Sequence, residues 1–144
     1  MFGRLYQFAD ALRQHARRRS MNAEHAAGRR GEDIAHRYLQ RAGIIVVARN
    51  FRTASGSGEI DLIGWEGDAL VVIEVKARQT DDYGAPDRAI GPDKQRSLIR
   101  AAREFARHAE VPWERVRFDV VNVVFRTPPA VTHFRDVFRP SAAA

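Results

Sequence analysis

Asp61, Glu74 and Lys76 are the residues of this chain whose types and spacing could do chemistry. Glu74 and Lys76 stand two apart at the end of Ala69–Lys76, whose Val71-Val72-Ile73 run reads as a strand covered on both faces. Alternation puts both side chains on one face, behind Val72. That face is apolar further down, so two charges there are costly unless they are paired or bind something. Asp61 lies in Glu59–Gly64, an alternating run that reads as the partner strand of a hairpin turning at Glu66-Gly67-Asp68. The hairpin brings Asp61 near Glu74, with a lysine beside the two carboxylates. Metal-assisted phosphodiester hydrolysis needs such a set. Mg²⁺ (or Mn²⁺) takes oxygen ligands, usually one or two carboxylates plus water and phosphate. The backbone carbonyl of Val75 is a further candidate ligand. The cation activates water and neutralises charge on phosphorus, and the lysine orients the water or steadies that charge.

Charges at period 2 more often mean a solvated strand face. The apolar strand and the hairpin argue otherwise here, and so does residue usage. Of 24 basic residues only Lys76 and Lys94 are lysine. Lysine is a compact point charge, whereas guanidinium is planar and rigid.

The elements that must position these residues follow from periodicity. Residues 23–42 read as a helix with Asn22 as N-cap, Ile34, Tyr38, Leu39 and Ala42 as its buried stripe and Gly43 as its stop. Gly28 and Gly31 weaken its first half, so a start nearer Gly31 is the alternative. Ile44–Val47 is a short strand, and Ala54–Gly58 a flexible loop. Residues 77–91 form a loop long enough to suggest function. Residues 92–109 form a helix with Pro92 in its first turn and Leu98, Ala102, Phe105 and Ala109 on one side. Val116–Phe125 is a fourth strand, Pro128-Pro129 a turn, and Val131–Phe134 a short fifth strand. The order is α-β-β-β-α-β-β. The helical crossover makes the third and fourth strands parallel, in a mixed central sheet of about five strands flanked by helices.

Composition fits one folded domain. The expected division is a basic N-terminal arm over 1–21, a domain over 22–139 and a loose tail over 140–144. Residues 2–16 have the spacing of an amphipathic helix. Residues 1–30 hold seven arginines against two acids, and residues 31–144 hold 17 basic against 16 acidic groups. The positive field therefore comes mostly from the N-terminal segment, which suits a polyanion partner or a solubilising tail. The absence of cysteine excludes disulfides and thiolate zinc sites. No apolar run approaches a membrane span and no secretory signal is evident. A cytoplasmic protein with no membrane partner is expected.

The wider pattern is more specific. Gly31-Glu32-Asp33, Gly58-Glu59-Ile60-Asp61-Leu62-Ile63, Glu74-Val75-Lys76-Ala77-Arg78, Lys94-Gln95 and Arg117-Phe118-Asp119-Val120-Val121 together resemble the YraN family. This is a bacterial group of mostly uncharacterised proteins similar to archaeal Holliday-junction resolvases. Asp61-x12-Glu74-x-Lys76 looks like the PD-(D/E)xK nuclease signature, with Ile60 where proline is common. The resemblance runs from about Ala27 to Phe138, with the first 20 residues outside it. It implies an α/β, restriction-endonuclease-like fold and a Mg²⁺ (or Mn²⁺)-dependent endonuclease acting on structured or branched DNA. It implies Asp61 and Glu74 as metal ligands, Lys76 as the catalytic lysine and Glu32 as an additional acid near the metal. Lys94 and Gln95 would face the site or the phosphate backbone.

Other signals stay open at this level. Glu32 also suits a helix start electrostatically. Arg96, Arg100, Arg103 and Arg107 form a stripe that is either a solvated face or, with Arg78, a surface holding phosphates without reading sequence. Asp119 is either a buried structural acid or part of the site. His15, His25, His36, His108 and His133 lack metal spacing and read as surface residues. Ser55 and Ser57 have no partner for nucleophilic catalysis. The alternatives to a deoxyribonuclease are a nucleic-acid-binding module without turnover and an RNA nuclease. A homodimer would suit a symmetric substrate.

Overall fold

The structure is a computed structural model that describes residues 23–79 and 85–140. The chain divides into two compact units, Met1–Arg30 and Gly31–Ala144. Of the first unit only residues 23–30 are described; they are helical and mostly exposed. The expected helix over 2–16, the Asn22 cap, residues 80–84 of the long loop and residues 141–144 of the tail lie outside the described residues.

A five-stranded sheet forms the larger unit. Its strands are β1 (Ile45–Arg52), β2 (Glu59–Glu66), β3 (Ala69–Arg78), β4 (Val116–Val124) and β5 (Ala130–Phe138), lying side by side in chain order. Only β3 and β4 pair in parallel; the other neighbours are antiparallel. Helix α1 covers residues 23–41, and its residues from 31 onward belong to this unit. Helix α2 spans Pro92–His108, with Pro92 at its start as expected, and a 3-10 turn at Trp113–Arg115 leads into β4. The architecture is α/β with a mixed sheet between two helices, the restriction-endonuclease-like arrangement.

Two apolar clusters hold these layers. Ala35 and Leu39 of α1 pack on Leu62, Val71, Ile73, Val121 and Val123. Leu98, Ala101, Ala102 and Ala106 of α2 pack on Ile60, Ile63, Leu70, Val72 and Phe118. Strand β3 feeds both clusters, which is why its central residues are uniformly apolar. Four consecutive side chains, Leu70 to Ile73, are at most 1% exposed. Burial of such side chains is the main drive to fold, at roughly 1.5–3 kcal/mol each.

Some expectations needed correction. Helix α1 runs through Gly28 and Gly31 from residue 23. Its buried stripe is Ala35 and Leu39, whereas Tyr38 and Ala42 are exposed, as is Ala109 beyond α2. The first and fifth strands are longer than their apolar runs, extending through Arg49 to Arg52 and, past a register shift, to Phe138. The Ala54–Gly58 loop is pinned to α2, not free. Arg100 donates twice to the Ser57 carbonyl (2.9 and 3.1 Å) and Glu104 accepts from the Ala54 N–H at 3.2 Å.

His133 is not a surface residue. Its side chain is 3% exposed and its Nε2 lies 2.8 Å from Asp119 Oδ2. Asp119 is fully buried. Arg117 grips it at 2.8 and 2.9 Å and the Asp136 N–H donates to it at 3.0 Å. Arg117 also reaches Glu66, which Arg135 binds in a fork at 2.9 Å. Asp119 is thus a structural acid: burial works against its charge, but His133 and Arg117 outweigh that and hold its pKa below the usual value. Arg135 and Arg117 pull Glu66 down to about 2. Both depressed acids add stability that is complete above their ordinary pKa and fades as pH falls through the carboxylate range. Asp119→Ala strands Arg117 and His133, and is expected to cost about 3 kcal/mol. Urea unfolding checks this; a loss below about 1 kcal/mol would mean that the freed groups regain water and the network contributes little.

Candidate metal and phosphodiester site

The site sits where β3 leaves the covered part of the sheet. On β3, Leu70 and Val72 face α2, and alternation carries Glu74 and Lys76 onto the same face. The β2–β3 ladder ends at Leu62 and Ile73, and just past it the Asp61 charge acts on Glu74. Asp61 is fastened there: its Oδ2 accepts the Val75 N–H at 2.8 Å.

A backbone irregularity aims Asp61. Ile60 and Ile63 both pack in the α2-side cluster while Leu62 packs in the other. Strict alternation cannot do this, so β2 changes face beside Asp61. Strand β1 changes face at the same level. Ala48 and Phe51 both pack towards α2, and between them Asn50 has φ +52°, a left-handed conformation that asparagine tolerates better than most residues. Asn50 also donates to Glu32 Oε2 at 3.1 Å.

Two close approaches bring the flanking elements in. A Cβ on Gly31 would lie 2.7 Å from Ala77 Cβ, so glycine lets α1 touch β3 one residue before Glu32. A Cβ on Gly58 would lie 2.6 Å from the Ser97 carbonyl and 3.0 Å from the Ala101 nitrogen, so glycine lets the start of β2 lie against α2. These glycines belong to packing, not to flexibility.

The electrostatics are those of crowded acids. Burial, then the Asp61 charge, pushes Glu74 up to about 7 despite Lys94. Burial also raises Asp61, against the Val75 N–H and Lys94, with Glu32 and Glu59 adding to the rise. Lys94 Nζ stands 3.6 Å from Glu74 Oε2 and 3.6 Å from Glu59 Oε1. At that range it is an ion-pair partner but not a hydrogen-bond donor. Glu74 Oε2 is buried with no hydrogen-bond partner. Native proteins rarely leave such an atom alone unless a ligand, ion or water completes it.

The sequence-predicted residues separate as follows. Asp61, Glu74 and Lys94 come together. Glu32 lies close enough for its charge to act on Asp61, but Arg49 (3.4 Å) and Asn50 hold its Oε2. Lys76 shares the Glu74 face but points to the loop, donating to the Ala89 carbonyl and lying 3.9 Å from Asp87. Gln95 does not meet the carboxylates through any described bond; it donates to the Ile90 carbonyl at 2.8 Å. Arg96 pairs with Asp93, Arg100 binds Ser57, and Arg103 stacks over Trp113 at 4.6 Å. The Ala89 N–H, then the Lys76 charge, hold Asp87 below its usual pKa, with a smaller contribution from Arg78. Sequence reasoning assigned no role to Asn50, Glu59, Asp87 or Asn122. Asn122 is buried and clasps Asp87, donating to its carbonyl at 2.9 Å. A polar residue inside the apolar run Val120–Val124 was the available signal.

Among the described residues no three His, Cys, Asp or Glu side chains converge as a ready metal cage. Asp61 and Glu74 supply two carboxylates, one with an unpartnered buried oxygen, and the Val75 carbonyl is the backbone group between Glu74 and Lys76. That donor set suits a hard cation completed by water and phosphate.

Raising the Glu74 pKa from 4.5 to about 7 has a sign. The cation-free fold is penalised as pH rises from the first value past the second, because the buried carboxylate must ionise. Glu74→Gln carries no such penalty. In EDTA it should therefore stabilise the protein at about pH 8 by something on the order of 2–3 kcal/mol, and little below about pH 4.5. Chemical denaturation at both values checks this; equal effects at the two would show that Glu74 is not desolvated.

Comparison with known proteins agrees with this architecture. The family model described as "Uncharacterised protein family UPF0102" matches residues 31–123. A UPF0102 protein of Solibacter usitatus is 46% identical over 138 residues, covering 96% of this chain and all of that relative. That alignment leaves out only six residues of the chain, whereas the family model begins at residue 31, so the first 20 residues lie outside the family match as expected. A UPF0102 protein of Rhodococcus jostii is 46% identical over 115 residues (78% of this chain, 96% of the relative), and one of Geobacter sulfurreducens is 37% identical over 113 (77% and 87%). With matches of this length, the chain belongs to the UPF0102, or YraN, family.

Proposed function

We propose that this protein is a metal-dependent endonuclease that hydrolyses phosphodiester bonds in structured or branched DNA. The observation that carries this reading is the buried, unpartnered oxygen of Glu74 beside Asp61, at the end of a central strand. Asp61 and Glu74, with the Val75 carbonyl, would hold Mg²⁺ or Mn²⁺. Such a cation, when bound, supplies water activation and charge neutralisation at phosphorus. The chain's own residues do the rest. Asp61 is oriented by the Val75 N–H, so its carboxylate arrives pre-positioned. Lys76, on the Glu74 face, brings a positive charge towards the developing phosphorane oxygens. Lys94 and Arg78 supply positive charge for backbone phosphates, while Arg96 is paired with Asp93. Such contacts hold a nucleic acid by its backbone and not by its bases.

One observation favours a second reading, a nucleic-acid-binding module without turnover: Lys76 is occupied by Asp87 and the Ala89 carbonyl. The two readings separate on labelled four-way junctions, flaps, linear duplexes and single strands, as DNA and as RNA, each with Mg²⁺, Mn²⁺ or EDTA. The expected result is metal-dependent cutting of branched DNA, reduced about 100-fold or more in both Glu74→Ala and Lys76→Ala. Binding without cutting in either metal would select the module, and equal cutting of RNA would overturn the DNA preference.

Phosphate contacts also imply a steep salt dependence. Junction affinity is expected to fall about 1,000-fold or more between low and moderate salt if six or more phosphates are engaged. A flat response in a fluorescence-anisotropy titration would remove backbone recognition from the proposal.

A further inference from the structure

Lys94 stands in an unusual place. It is in the first turn of α2, where the helix dipole is positive and a cation is disfavoured. Its ammonium faces Glu59 and Glu74, each at 3.6 Å, and the Asp61 charge acts on it as well. Yet it gives neither glutamate a hydrogen bond, and Glu74 Oε2 is left with an ion pair alone. It stands between the two glutamates, with the Asp61 charge beyond them, as a counter-ion does.

From this geometry we infer that Lys94 is the resident counter-cation of the carboxylate pair, occupying in the metal-free chain the charge position of the divalent cation, so that cation binding requires Lys94 to be displaced. The inference rests on the metal-site reading above and concerns how that site is kept. Without a positive neighbour, two buried carboxylates would repel each other and resist ionisation. Lys94, at 3.6 Å from Glu74, offsets part of that repulsion. Its side chain is 34% exposed, which leaves a path outward, and Glu59, with its own side chain 49% exposed, can retain it there. Lysine suits this better than arginine, because a compact ammonium on a flexible stem can swing aside where a planar fork would lock on a carboxylate. This gives a physical reason for one of only two lysines in a chain of 22 arginines.

The test reads cation binding directly. Free Mn²⁺ is followed by electron paramagnetic resonance during titration of the full chain at neutral pH and fixed ionic strength. The proteins are the wild type, Lys94→Met, Arg96→Met and Glu74→Gln, with thermal melts to confirm folding. Lys94→Met should bind Mn²⁺ about tenfold tighter or more, since a competing unit charge has gone. Arg96→Met removes a charge from the same helix turn but not from the carboxylates, and should leave affinity near the wild-type value. Glu74→Gln should lose binding. Unchanged or weaker binding by Lys94→Met, with Glu74→Gln lost, overturns the counter-cation role and leaves the metal site standing. Equal tightening by Arg96→Met also overturns it, since a general field would then suffice. Wild-type binding that survives Glu74→Gln overturns the metal-site reading itself.

Discussion

The cost of desolvating Glu74 organises this structure. Strand β3 is the centre of the sheet and is sealed on both faces by α1 and α2. A carboxylate at the end of such a strand cannot be hydrated as a surface glutamate is, and burial alone disfavours its charge. Everything nearby responds to that. Asp61 is turned away from competing contacts by its bond to the Val75 N–H, and α2 starts close enough for Lys94 to stand over the pair. Gly31 and Gly58 are small so that a helix and a strand start can approach.

The same sheet carries a second charged group, and the contrast between the two is informative. Around Asp119, Arg117 forks onto one carboxylate and reaches Glu66, His133 takes another acceptor position, and Arg135 completes Glu66. The acids there are held below their ordinary pKa. Around Glu74 the acids are pushed up, and a buried oxygen has no hydrogen bond. A closed network stabilises the fold; an open one stores unsatisfied charge that a ligand can relieve. The open position for a ligand therefore lies at the Glu74 end, although both groups hold acids and bases in similar number.

Lys76 ties the site to the segment before α2. Asn122 on β4 clasps Asp87, and Asp87 with Ala89 engages Lys76. Asn122 is opposite Lys76 in the parallel β3–β4 register. Position on the sheet and position of the loop are thereby linked through one buried amide, so the placement of Lys76 depends on residues more than ten positions further along the chain.

Much of this was legible in the sequence. Element order, the parallel β3–β4 crossover, the central place of β3 and the meeting of Asp61 with Glu74 all follow from apolar periodicity and the short Gly67-Asp68 turn, because alternation and hairpin register are local consequences of backbone geometry. Other features were decided only by tertiary structure. The face change at Asp61 is accompanied by one beside Asn50 in the neighbouring strand, and the buried His133 meets Asp119, 14 residues away. Tyr38 is exposed while its neighbour Leu39 is fully buried, so the face that α1 turns to the sheet was set by packing. Lysine and arginine positions could be read in the chain, but their partners could not. A long side chain reaches several ångströms in directions set by packing, and only the assembled sheet and helices determine which charge it meets.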